Sequence, residues 1–122
     1  MVINILNFVM IQDPQIVPIE ASKKHCAFVF DILIASINKT KLPQWPQNLP
    51  SDITPLFVSY YKGKNKNLRG CIGTFAKEQL KVLLPKYALV AANEDNRFKP
   101  ITALEINELS VEVSLLTKFE KI

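Results

Sequence analysis

Gly70 and Gly73, two of only three glycines in the chain, fall inside one run, Leu68-Arg69-Gly70-Cys71-Ile72-Gly73-Thr74-Phe75, that otherwise reads as a β-strand. Glycine weakens a strand interior, and where it stands there it marks a bulge, a bend or a close approach by another part of the molecule. The preceding run, Leu56-Phe57-Val58-Ser59-Tyr60-Tyr61, carries the aromatic and branched residues of a strand. Between the two lies Lys62-Gly63-Lys64-Asn65-Lys66-Asn67, a turn signal. The segment therefore predicts an antiparallel hairpin whose second strand leaves space at two places.

Strict alternation along that second strand puts Arg69, Cys71 and Gly73 on one face and Leu68, Gly70 and Ile72 on the other. A guanidinium beside a thiol favours the thiolate, and Gly73 would leave room next to the sulfur. A small anion pocket or a reactive thiol needs that combination. The plainer reading is that Cys71 is a small core residue, since free cysteine is among the most often buried types. A bulge would also change which side chains share a face. Cys26, on the apolar face of a predicted helix, reads as core by the same reasoning.

The remaining chain supplies elements to pack against the hairpin. Residues 1–11 read as an edge strand or a short packed extension, and prolines 14 and 18 interrupt the chain after it. Ser22 can cap a helix running to about Asn38, apolar over most of its circumference. Its first turn holds Lys23, Lys24 and His25, which oppose the helix dipole and predict a solvated end. Residues 39–55 contain four prolines and read as a surface loop pinned by Trp45. Pro85 suits a first helical turn, which predicts a helix over 85–93 that stops at Asn93, with 77–84 as a separate turn. Thr102-Ala103-Leu104-Glu105 matches a capping box that opens a short helix to about Glu108. Val111, Val113 and Leu115 then alternate with Glu112 and Ser114 as in a half-buried strand.

Composition narrows the function classes. At 122 residues the chain is one domain, and with 48% hydrophobic residues it is too apolar to be disordered. Two cysteines exclude a disulfide framework, and a single histidine leaves no Cys/His zinc site, so neither a metal nor a cofactor is expected. The net charge of +4 comes largely from Lys62, Lys64, Lys66 and Arg69 around the turn. A basic turn beside Tyr60 and Tyr61 could contact nucleic acid, but a soluble lysine-rich turn is the commoner case, and nucleic acid is the least favoured partner. The first residues have no basic leader or cleavage site, and no membrane association is expected.

Pro55-Leu56-Phe57-Val58 and the stretch from Leu68 to Phe75 resemble the AMME-syndrome candidate protein (AMMECR) family. Tyr87-Ala88-Leu89, Ala92, Asp95, Arg97-Phe98, Pro100-Ile101, Glu105, Leu109 and the run from Val113 to Thr117, with Phe119 and Glu120, extend the match. The resemblance implies an α+β domain over residues 21–122, with an antiparallel or mixed sheet and flanking helices, preceded by an extension over 1–20. It also implies an intracellular protein, cytoplasmic or nuclear, whose end is incomplete relative to the family domain. The family's biochemical activity is not established, and whether the chain is an enzyme stays open.

Carried over by position, the motif makes Cys71 the candidate catalytic residue and Arg69, Gly70, Gly73, Thr74, Asp95 and Arg97 candidate ligand-binding residues. Asp95 and Arg97 either order a loop through an ion pair or line a site with Cys71, and Phe98 reads as packing. Two partner classes follow. One is a small molecule at the motif. The other is a protein, with the motif as a folding element of an interaction module.

Overall fold

The computed structural model describes residues 2–8 and 23–116. In chain order the elements are β1 (Val2–Phe8), α1 (Lys23–Ile37), β2 (Leu56–Lys62), β3 (Asn67–Thr74), α2 (Leu80–Asn93), a 3₁₀ turn (Ala103–Glu108) and β4 (Leu109–Leu116). The four strands form one sheet in the order β1-β4-β2-β3. β2 runs antiparallel to both of its neighbours, and β1 runs parallel to β4. The α+β class and the mixed sheet match expectation, and β1 takes the edge position foreseen for the N-terminal run. The Ser22 cap, the prolines at 14 and 18 and residues 117–122 lie outside the described residues.

Period-two alternation divides the sheet into two unlike faces. Leu56, Val58 and Tyr60 of β2 stand opposite Leu115, Val113 and Val111 of β4, and all six are fully buried. Cys26, Phe28, Val29, Phe30, Ile32 and Leu33 of α1 join them in one apolar cluster with Leu80, Leu83, Leu84, Ala88, Ala91 and Ala92 of α2. Both helices therefore pack on this face. Its most polar member, Tyr60, is satisfied by donating its hydroxyl to the Ala88 carbonyl at 2.6 Å. Burial pushes that phenol far above its ordinary pKa. The opposite face carries Phe57, Ser59 and Tyr61 of β2, Cys71 and Gly73 of β3, and Ser110, Glu112 and Ser114 of β4. Among the described residues neither helix packs on it; Phe57, Tyr61, Cys71 and Glu112 are half-buried, and Ser59, Ser110 and Ser114 are buried.

α2 begins earlier than the proline predicts. The helix starts at Leu80, so Pro85 lies inside it rather than in its first turn. The cause is tertiary. The Leu80 and Lys81 N–H groups donate to the Asp52 carbonyl and the Ser51 hydroxyl, and Ile53 bridges Gln79. Open N–H groups at a helix start are costly when unpaired, and the preceding loop supplies their acceptors. Burial of Leu80, Leu83 and Leu84 adds apolar stabilisation of about 1.5–3 kcal/mol per side chain, against about 3 kcal/mol lost to an internal proline. The expected stop at Asn93 holds.

The first turn of α1 is only partly solvated. Lys23 and Lys24 are exposed, but His25 is 1% exposed. The 39–55 loop closes over it: Trp45 stacks edge-on against Phe28 at 5.1 Å between centroids and lies 6.2 Å from the His25 ring. His25 Nε2 stands 3.4 Å from the Pro50 carbonyl, and Trp45 Nε1 donates to Leu49 O at 2.9 Å. Burial holds the imidazole below its ordinary pKa. Trp45 pins the loop as expected, and His25 is buried by that same contact.

Candidate functional site

The hairpin register places Ser59 opposite Cys71 and Tyr60 opposite Gly70, then steps so that Tyr61 stands opposite Leu68. Arg69 sits in the resulting bulge, and the unbroken alternation expected through it does not exist. A bulge re-aims the side chain it carries. Arg69 donates from Nε to Glu105 Oε1 at 2.7 Å and from Nη2 to Glu105 Oε2 at 3.1 Å, with a further bond to Pro100 O. Its guanidinium also lies 5.9 Å from the Phe98 ring centroid. The Arg69 charge is thus committed to Glu105, which corrects the reading of Arg69 as a neighbour cation of the thiol.

Glu105 gathers more than the capping box requires. Its Oε2 accepts from the Thr102 N–H at 2.8 Å, as the sequence pattern predicts, and from the Thr102 hydroxyl at 3.2 Å as well. Its Oε1 also takes the Lys62 ammonium at 3.1 Å. The Arg69 hydrogen bonds, with help from Thr102 and Lys62, hold the Glu105 carboxyl down at about 2.

Cys71 lies on the sheet face opposite the helices, in polar surroundings. Its sulfur accepts the Ser59 hydroxyl at 3.1 Å. Next along β2, Tyr61 donates its hydroxyl to Glu112 Oε1 of β4 at 2.9 Å. Desolvation and the Glu112 carboxylate both raise the Tyr61 pKa. Cys26 shows the contrast: wholly buried in the core, its thiol is pushed up to about 11 by burial. The two cysteines of the chain occupy opposite environments.

The outer edge of β3 is closed by the segment after α2. The Cys71 N–H donates to Asp95 Oδ2 at 3.0 Å. The same carboxylate holds Arg97, taking its backbone N–H and Nε on Oδ1 and its Nη2 on Oδ2 at 2.7 Å. The Arg97 side-chain bonds come first in holding the Asp95 carboxyl well below the usual carboxylate range. Asp95 is buried while Arg97 is exposed, and the Arg97 guanidinium lies 5.4 Å from the Phe98 centroid. The pair orders its loop, and through Asp95 it also reaches the Cys71 backbone N–H.

The seven expected residues separate into groups. Cys71, Asp95 and Arg97 come together. Gly70 and Gly73 serve packing: a Cβ on Gly70 would strike the Ala91 carbonyl oxygen of α2, and one on Gly73 would meet the Phe57 ring and the Leu56 carbonyl oxygen. The space foreseen beside the sulfur at Gly73 is therefore filled by Phe57. Thr74 accepts the Ala76 N–H on its hydroxyl at the strand end. Ser59, Tyr61 and Glu112 were not foreseen as members of the site. The signal was present, because alternation places all three on the Cys71 face once the strand order is known.

Comparison with known proteins assigns relatives to this arrangement. The AMMECR1 family model matches residues 26–122. An uncharacterised protein of Schizosaccharomyces pombe is 36% identical over 103 residues, covering 82% of this chain and 53% of its own length. An uncharacterised protein of Arabidopsis thaliana is 36% identical over 105 residues, covering 84% of this chain and 48% of its own. The crystal structure of an uncharacterised protein from Pyrococcus horikoshii superposes with a TM-score of 0.66 at 26% identity, over 75% of this chain and 49% of that one. The chain spans about half the length of these relatives.

Proposed function

The chain belongs to the AMMECR1 family, and from that premise we propose that the sheet face opposite the helices binds a small ligand, with Cys71 as the thiol that meets it. The family's activity is not established, so the reading rests on the site. One observation carries it: Cys71 is half-buried, with a hydroxyl on its sulfur and a carboxylate on its backbone N–H. A purely structural cysteine sits as Cys26 does, in an apolar interior. The buried His25 packs against Trp45 and Pro50 instead, and the titratable groups that share the Cys71 face are Tyr61 and Glu112, joined by a hydrogen bond. The domain in this reading covers residues 21–122, with Val2–Phe8 adding a strand to its sheet, and works inside the cell. Among the described residues no helix is long and apolar enough to cross a membrane.

The test is the rate at which iodoacetamide labels Cys71 in the folded chain at neutral pH, read by peptide mass with Cys26 as internal reference. A site that activates the thiol gives labelling about fivefold faster than a free thiol, and Cys26 stays unlabelled. Labelling at the free-thiol rate, or only after unfolding, overturns the reading.

A second reading is an interaction module, favoured by the exposed Phe75, which packs edge-on against Phe57 on the same face. In that case Cys71→Ser destabilises the fold, and no small ligand shifts its melting.

A further inference from the structure

The guanidinium of Arg97 has five N–H donors in a planar fork. Asp95 engages one side of it, through Nε and Nη2. The ring of Phe98 lies against the group at 5.4 Å and the backbone N–H of Arg97 is bound to the same carboxylate, so the fork is fixed in place. Among the described residues the end-on edge, formed by Nη1 and the second Nη2 hydrogen, carries no bond, and the side chain is 58% exposed. Asp95 Oδ2 takes both Arg97 Nη2 and the Cys71 N–H, which places the open edge one carboxylate oxygen away from the cysteine backbone. The other arginine of the motif does not offer such an edge, because Glu105 and Pro100 hold its Nε and Nη2 and its Nη1 is buried.

We propose that Arg97 is the recognition group for a carboxylate-bearing ligand, held bidentately on its open edge with the rest of the ligand directed over Cys71. A planar fork already oriented by Asp95 and Phe98 loses little freedom on taking a second carboxylate. The ligand class follows from this chemistry. The inference rests on the Cys71 site proposed above and adds its specificity.

Two alkylating probes that differ only in charge separate the claims. Iodoacetamide reports the reactivity of the thiol, while the ratio of iodoacetate to iodoacetamide rates at Cys71 reports anion recognition. In the folded chain that ratio is expected about three- to fivefold above its value for a free thiol. Arg97→Gln returns it to the free-thiol value, and so does Arg97→Lys, which keeps a charge for Asp95 but has no fork. Lys64→Gln, which removes one charge from the exposed turn, leaves it raised. A ratio at the free-thiol value in the unaltered chain, or one unmoved by both Arg97 variants, overturns the inference whatever the iodoacetamide rate. Failure of the thiol reading alone shows as an ordinary iodoacetamide rate with the ratio still raised. A Cys71 closed to both probes until unfolding overturns both.

Discussion

Gly70 shows how a missing side chain sets the spacing of two layers. Ala91 of α2 presents its carbonyl oxygen where a Cβ at position 70 would stand, and the Tyr60 ring lies alongside. The same β2 residue ties its hydroxyl to the Ala88 carbonyl one turn earlier. Gly70→Ala is therefore expected to cost about 1–3 kcal/mol by overpacking. It should appear as a lower urea midpoint with an unchanged slope, and an unaltered midpoint would mean that α2 does not press on β3. The glycines in a strand announced a close approach correctly. The approaching group was not legible, because Ala91 is distant in sequence and reaches position 70 only through the packing of α2.

Local patterns predicted the elements well, and long-range contacts account for the differences. The hairpin, the Thr102–Glu105 box and the Asn93 stop depend on neighbouring residues, and they are found where their signals stand. The start of α2 depends on Ser51 and Asp52, and the burial of His25 depends on Trp45, so neither could be read from a window around the helix. The bulge at Arg69 is of the same kind, since its register is fixed by pairing with β2. Glu105 joins these elements: β2 through Lys62, β3 through Arg69 and its own turn through Thr102.

That joint makes the fold sensitive to acid. Glu105 binds its proton less readily when folded, at about 2 against an ordinary 4.5. As the pH falls through this range the unfolded chain takes up the proton first, so stability declines. Unfolding followed against pH should thus show a plateau above about 4.5 and a fall toward 2. Asp95 adds to the slope in the same direction. Glu105→Gln should lower stability at neutral pH by about 1.5–3 kcal/mol, the range for charged hydrogen bonds, and flatten the acid slope. A variant with an undiminished slope would show that other carboxylates carry it.

The two layers give the sheet one apolar and one more polar face, and the molecule a charge that is less available than its sum implies. Of the four cations around the turn, Lys62 and Arg69 are paired with Glu105, while Lys64 and Lys66 remain exposed. Two isolated lysines neutralise few phosphates, and salt-dependent affinity scales with that number. Single-stranded RNA is accordingly expected to show no measurable binding at physiological salt, and a steep salt-dependent affinity in a filter or fluorescence titration would overturn that view. The two faces also explain why the site was only half legible. Cys71, Asp95 and Arg97 carry a motif along the chain, whereas Ser59, Tyr61 and Glu112 join them only when β2 and β4 are laid side by side.

Among the described residues β3 is the outermost strand on its side of the sheet, and the Cys71 N–H is a donor that such an edge leaves outward. Asp95 covers it, and Arg97 holds Asp95 in place. Unprotected strand edges invite pairing between molecules. The ion pair is therefore also a guard on self-association: a change that frees Asp95 from Arg97 loosens the cover and exposes a template on which another chain can add a strand.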